Sequence, residues 1–102
     1  IGKERSMRRK RLKRYLAREL GPAGICCNLV AAGPVRTMAA RSIPGFSLFE
    51  DIWDERARAN PAGRYGAPDE LGAACAYLCS AQAGYVTGQS LLIDGGGYPG
   101  TF

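Results

Sequence analysis

Two short apolar runs, each halted by glycine, constrain this chain more than any other feature. Asn28-Leu29-Val30-Ala31-Ala32 stops at Gly33-Pro34 and hands over to the polar Val35-Arg36-Thr37, and Leu91-Leu92-Ile93 stops in the same way at Asp94-Gly95-Gly96. The residues between them leave room for helices. Short apolar strands, helices between them and glycine at the strand exits predict a parallel α/β sheet whose strand C-termini carry a ligand. Two strands do not complete such a sheet, so the rest of it is expected to lie outside these 102 residues.

The helices follow from spacing and breakers. Residues 4–20 carry Leu12, Tyr15, Leu16 and Leu20 as one apolar stripe, with arginines and lysines on the remaining faces. Gly21-Pro22 ends this helix, glycine taking the left-handed cap, and Ala23-Gly24 turns the chain into a strand over 25–31. Beyond Gly33-Pro34, residues 38–42 suit a short helix that Pro44-Gly45 breaks, and residues 46–59 suit another with Phe46, Phe49, Ile52 and Trp53 as its apolar side. Four large apolar residues between breakers exceed what a plain connection needs. They read equally as a helix packed on the core or as a flap over an apolar substrate. Asn60-Pro61-Ala62-Gly63 and Gly66-Ala67-Pro68 interrupt the chain again. Pro68 then suits the first turn of a helix over 68–80, with Asp69 and Glu70 near its positive end. A turn at 84–88 leads into a strand over 89–94, and the glycine-rich last eight residues are expected to wrap against the body or pack on a partner.

The net charge of +5 belongs to one end. Residues 1–14 hold eight bases against one acid, or +7, while residues 15–102 hold six bases and eight acids, or −2. The run Arg8-Arg9-Lys10-Arg11-Leu12-Lys13-Arg14 has the composition of a nucleic-acid or anionic-surface patch. Only Tyr15 stands near it as a stacking aromatic, and no basic stripe in the body extends it. A solvated helix face is therefore the favoured reading, and a nucleic-acid partner is not expected. No apolar run approaches the roughly 20 residues of a bilayer span, and no apolar region follows the basic start. A cytoplasmic protein without a membrane span is the expectation.

Four cysteines admit a disulfide, a metal site or buried thiols. Cys26 and Cys27 are adjacent in the expected strand and so point to opposite faces, while Cys75 and Cys79 share a helical stripe with Leu71, Ala74 and Leu78. With no histidine to complete a mixed site, reduced and buried thiols are favoured over a four-cysteine zinc module.

Gly95-Gly96-Gly97-Tyr98-Pro99-Gly100 satisfies G-x-G-x-x-G in form, but Pro99 and the chain end leave no helix N-terminus to face a pyrophosphate. A better candidate for ligand contact is Gly33-Pro34-Val35-Arg36-Thr37, where the Val35 amide and the Thr37 hydroxyl offer hydrogen bonds to a carboxamide or phosphate. On spacing alone, a turn with a capping threonine is the favoured reading. No nucleophile and base spacing can be assembled from these residues.

At this point the chain resembles the C-terminal part of a short-chain dehydrogenase/reductase. Residues 14–57, through Arg14-Tyr15-Leu16-Ala17-Arg18-Glu19-Leu20-Gly21, Gly33-Pro34-Val35-Arg36-Thr37 and Ile43-Pro44-Gly45-Phe46, are similar to enoyl-acyl-carrier-protein reductases. Residues 63–96, through Gly63-Arg64-Tyr65-Gly66-Ala67-Pro68-Asp69-Glu70 and Asp94-Gly95-Gly96, look more like 3-oxoacyl-acyl-carrier-protein reductases. The resemblance implies α/β architecture: an incomplete C-terminal portion of a Rossmann-type doubly wound parallel sheet with two strands and three or four helices. Residues 1–14 would then be a divergent helix start, and residues 15–102 would include a substrate-side insertion at about 38–59.

It implies NADH or NADPH, hydride transfer to an acyl thioester, and a role in fatty acid synthesis. It also implies cofactor contact at Gly33, Pro34, Val35 and Thr37, with Ala39, Ile43, Phe46 and Phe49 near an acyl chain. The family's active-site lysine aligns with Ser6, and its tyrosine falls before Ile1. The expectation is thus a reductase fragment with no catalytic residue of its own, inactive alone and not binding dinucleotide alone. Its parent would be a homo-oligomer, and the fragment would self-associate through uncovered apolar faces. Enoyl reductase is the favoured parent, a 3-oxoacyl-type reductase the alternative, and a small basic binding module the reading from another class.

Overall fold

A computed structural model describes residues 2–36 and 45–100, with side chains for all of these except 2–6 and 46–48. Helix α1 spans Gly2–Leu20, strand β1 Leu29–Ala32, helix α2 Phe46–Ala59, helix α3 Pro68–Leu78 and strand β2 Ser90–Ile93, with short 3-10 turns at Gly21–Ala23 and Ala81–Ala83. The expected short helix over 38–42 lies outside the described residues. β1 and β2 pair as a two-stranded sheet, and their hydrogen bonds advance together from Leu29 N on Gln89 O to Gly33 N on Ile93 O, which makes the pair parallel. The chain falls into two compact units, Ile1–Ala31 with Ala74–Leu91, and Ala32–Ala73 with Leu92–Phe102.

In the first unit α1 runs unbroken through the change of composition at residue 14. Its inward face differs from the expected stripe. Lys13 and Ala17, one turn apart, are the buried positions, whereas Leu12 and Tyr15 are 56% and 63% exposed. Small size decides this: the Ala17 methyl lies 3.4 Å from where a Cβ on Gly88 would stand, too close for a leucine or tyrosine ring. Lys13 keeps its ammonium on the carbonyl oxygen of Lys10 at 3.4 Å, and burial lowers its pKa, with Arg14 and Lys10 adding to the effect. The left-handed residue after α1 is Gly24, at φ 77°, and not Gly21. The proline-led 3-10 turn comes first and closes through Gly24 N to Gly21 O at 2.8 Å.

β1 starts four residues later than the apolar pattern predicts. Asn28 explains the delay, because its carboxamide does what a peptide group would: Nδ2 donates to Val86 O at 3.0 Å and Oδ1 accepts from Gln89 N at 3.1 Å. Just before it, Thr87 Oγ1 accepts from Cys27 N and Cys27 O accepts from Gly88 N. Residues 25–28 are thus tied to 84–89 without being ladder strand. Cys26, Cys75 and Cys79 are exposed and Cys27 half-buried, so the expected burial of the thiols does not hold. On α3, Leu71, Ala74 and Leu78 form the half-buried stripe, which the thiol-bearing positions 75 and 79 do not share.

In the second unit, α2 occupies the predicted span and buries Ala57. Phe49 and Ile52 are exposed, while Trp53 is half-buried beneath the Arg56 guanidinium, 5.5 Å from its ring centroid. α3 begins with the acidic half of a capping box, since Ala67 has no side-chain oxygen to return the bond. Glu70 reaches back to accept from Ala67 N at 3.0 Å and takes a bidentate pair of bonds from Arg64 at 2.7 and 3.0 Å. Those donors hold the Glu70 carboxyl down to about 2. Among the described residues the buried apolar side chains are alanines, and no large side chain is fully enclosed.

Candidate strand-exit site

The second unit gathers both strand exits. At Gly33 the two chains approach so closely that a Cβ there would meet Asp94 Cβ at 2.7 Å and Asp94 Cα at 2.8 Å. Glycine is required by the neighbouring strand and not by a positive φ, a reason that the sequence alone does not disclose. Asp94 fixes the other exit: Oδ1 accepts from Gly96 N at 3.0 Å and Oδ2 from Tyr98 N at 2.7 Å. Gly95, at φ 66°, carries its carbonyl to Ala62 N at 3.0 Å, and a side chain at that position would meet the Ala62 methyl at 2.9 Å. The last residues therefore pack on the 60–63 turn, which Asn60 closes on itself by accepting from Gly63 N at 2.8 Å.

Beyond Gly33 the turn is clamped from below. Gly66 N donates to Pro34 O at 2.9 Å, and Val35 pairs with Gly66 in an isolated parallel bridge. In that register the bonds involve the residues flanking Val35, so its own N–H and C=O point to the opposite side. No described residue accepts from the Val35 N–H. Among the described residues the strand exit thus presents a fixed donor that meets no acceptor.

Arg36 is held by a cluster that sequence reasoning did not find. Its guanidinium lies 3.6 Å from Asp54 of α2 and 4.5 Å above the centroid of the Tyr65 ring, and the Tyr65 hydroxyl donates to the same Asp54 carboxylate at 2.5 Å. Burial raises the Tyr65 pKa above its ordinary value, and the bond to Asp54 raises it further. No local pattern signals this cluster, since its members come from a turn, a helix and a breaker segment. Of the other residues expected at the site, Thr37, Ala39 and Ile43 lie outside the described residues. Phe46 opens α2, with a side chain that is not described, and Phe49 stands 54% exposed on the next turn. A concavity of about 520 Å³ borders the exits, lined by Gly33, Pro34, Arg56, Asn60, Asp94 and Tyr98 among others. Among the described residues, no three His, Cys, Asp or Glu side chains are gathered to hold a metal ion.

Residues 10–97 match the family described as enoyl-(acyl carrier protein) reductase. The chain belongs to this family of short-chain dehydrogenases/reductases. The NADH-dependent enoyl-[acyl-carrier-protein] reductase FabI of Bacillus subtilis is 40% identical over 84 residues, covering 81% of this chain and 31% of the relative. The NADPH-dependent FabI of Staphylococcus aureus is 39% identical over 83 residues, with 81% and 31% covered. Among solved structures, the 3-oxoacyl-[acyl-carrier protein] reductase of Brucella melitensis superposes with a TM-score of 0.72 at 29% identity, over 85% of this chain and 31% of that one. This short-chain reductase chain spans about a third of the length of the curated relatives it matches. The β1 and β2 pair is accordingly part of a Rossmann-type sheet, and the family uses pyridine nucleotides. The described residues contain no helix long and apolar enough to cross a membrane.

Proposed function

We propose that this chain supplies the nicotinamide-side turn and part of the acyl wall of an NADH- or NADPH-dependent enoyl-acyl-carrier-protein reductase of fatty acid synthesis. The observation that carries the reading is the β1 exit: Gly33 pressed on Asp94, Pro34 O held by Gly66, and the Val35 N–H left as a directed donor. A donor of that kind suits the carbonyl oxygen of a carboxamide, and the residues present fit a nicotinamide in that respect. The nucleotide, when bound, supplies the hydride. The chain's own task is to hold one face of the ring toward the acceptor carbon, which is an orienting role.

In this reading Gly33, Pro34, Val35 and Thr37 meet the cofactor, and Ala39, Ile43, Phe46 and Phe49 border the acyl thioester. Exposure of Phe49 and Ile52 suits a wall awaiting either substrate or a neighbouring chain of a homo-oligomer. Because Ser6 stands where the family has its lysine, residues 1–102 alone are expected to turn over neither enoyl nor 3-oxoacyl thioester. The fold likeness to a 3-oxoacyl reductase keeps that substrate class as the second reading.

A graft tests both. Residues 10–97 would replace the matching stretch of the Bacillus subtilis relative, and oxidation of NADH and NADPH would be followed with each thioester. Reduction of the enoyl substrate, weakened when Val35→Pro removes the amide donor, supports the proposal. A folded graft that binds dinucleotide but reduces only the 3-oxoacyl substrate overturns it. Recovery of a glycine-rich loop and an active-site tyrosine from the DNA upstream of Ile1 would identify the parent enzyme.

A further inference from the structure

Arg36 is held more firmly than its charge accounts for. Its side chain is 54% exposed and stands 3.6 Å from the Asp54 carboxylate, beyond hydrogen-bonding distance, and exposed ion pairs of this kind contribute little. Attraction to Asp54 alone would leave a long side chain free to exchange rotamers. Tyr65 supplies the missing constraint. The guanidinium lies over its ring, 4.5 Å from the centroid, and the hydroxyl of the same residue donates to Asp54, so one side chain holds both members of the pair.

The backbone of Tyr65 is fixed as well. Its carbonyl oxygen accepts from Arg64 Nη1 at 3.0 Å, and the amide of the same peptide unit, Gly66 N, donates to Pro34 O at 2.9 Å. Arg64 is in turn paired with Glu70 at the start of α3. This one peptide ties the β1 exit to a helix end, and rotating it would break both bonds. The two grips fall on either side of a single residue: Pro34 is held through the backbone and Arg36 through its side chain, with Val35 between them. We propose that Tyr65 is a positioning residue for the Val35 N–H, gripping Arg36 with its ring and Pro34 through the peptide it shares with Gly66. What the donor meets rests on the nicotinamide reading above; that Tyr65 aims it does not.

A role confined to stability makes a different prediction. Tyr65 would then support the second unit as a whole, and its loss would loosen the amides that Asp94 holds at the other exit, Gly96 and Tyr98, as much as Val35. A positioning role confines the effect to Val35 and Arg36. Two further substitutions separate the parts of the grip. Tyr65→Phe keeps the ring and loses the bond to Asp54, whereas Arg36→Ala removes what the ring holds and leaves that bond in place.

The test uses the full chain, labelled with the heavy nitrogen isotope and free of nucleotide, with backbone order parameters read by NMR relaxation. In the unaltered chain the Val35 amide should be rigid, with an order parameter of about 0.85, although no described residue accepts from it. Tyr65→Leu should lower Val35 and Arg36 below about 0.6 and leave the bonded amides of Gly33, Gly96 and Tyr98 rigid. It should also abolish the upfield ring-current shift of the Arg36 side-chain protons. Tyr65→Trp should restore both signals, and Tyr65→Phe should fall between. Arg36→Ala should loosen Val35 as Tyr65→Leu does, and because Arg36 is exposed this variant carries the test if Tyr65→Leu does not fold. The proposal is overturned by a mobile Val35 in the unaltered chain, by a rigid Val35 in either loss variant, or by equal loosening of Val35, Gly96 and Tyr98. No nucleotide takes part, so these results stand apart from the graft, whose failure would remove the nicotinamide and leave the grip on Val35.

Discussion

The strand exits and the outward face of α1 handle polar groups in opposite ways. At the exits nearly every polar side chain is already engaged: Asp94 holds two backbone amides, Asn60 closes its own turn, and Arg64 with Glu70 caps α3. On α1 the guanidiniums of Arg8, Arg9, Arg11, Arg14 and Arg18 are exposed and have no ion-pair partner among the described residues. The first region is defined by backbone geometry and punishes small changes, and the second is defined by composition and should tolerate them. The difference separates residues that make the fold from residues available to something outside it.

Substitution at Gly33 should test this most severely. Gly33→Val places a side chain against the backbone of Asp94, and unfolding in urea should show a loss of about 3 kcal/mol. Arg11→Gln on α1 should shift the same transition by less than about 0.5 kcal/mol. Equal losses from the two would erase the contrast. A smaller effect is expected of Asp94→Ala, which frees the amides of Gly96 and Tyr98 to water and should cost about 1 to 2 kcal/mol in the same assay.

Tyr65→Phe removes one hydrogen bond to Asp54 and should cost about 1 kcal/mol. Because the folded-state pKa of Tyr65 is raised, its contribution is complete below the unfolded value and is lost as pH rises through the folded one. Phenolate absorbance should therefore appear at higher pH in folded than in urea-unfolded chain, and coincident titrations would dismiss the Asp54 cluster. In the opposite direction, Gly72→Ala meets nothing within 4 Å in the middle of α3 and should stabilise by about 0.5 to 1 kcal/mol. The smallest effect concerns Glu70, whose carboxyl is exposed. Its lowered folded pKa contributes stability above the ordinary carboxylate value of 4.5, and that stability is lost as pH falls toward about 2. Melting temperatures of Glu70→Gln should accordingly fall less steeply over that range than those of the unaltered chain.

Much of the architecture was legible because it depends on local rules. The α2 boundaries follow from the Gly45 and Asn60 breakers, the start of α3 from Pro68, and both strand exits from glycine. What escaped depended on contacts distant in sequence. A carboxamide standing in for a peptide shortened β1, and an alanine close to Gly88 rotated α1 away from its most apolar stripe. The Arg36, Asp54 and Tyr65 cluster joins three segments that carry no common periodicity. At the exit itself the sequence located Gly33, but the approach of Asp94 that requires it became visible only in three dimensions.

Asn28 has a wider consequence. Its side chain donates to Val86 on one side and accepts from Gln89 on the other, so both partners dictate which end of the amide is oxygen and which is nitrogen. A slip of β1 by one residue would abandon both bonds at once and exchange the faces of every strand side chain. The alignment of the sheet is therefore keyed from outside the ladder. Hydrolysis of that single amide to a carboxylate would turn the donor facing the Val86 carbonyl into a second acceptor, making the chemical ageing of one residue a fault in strand registration.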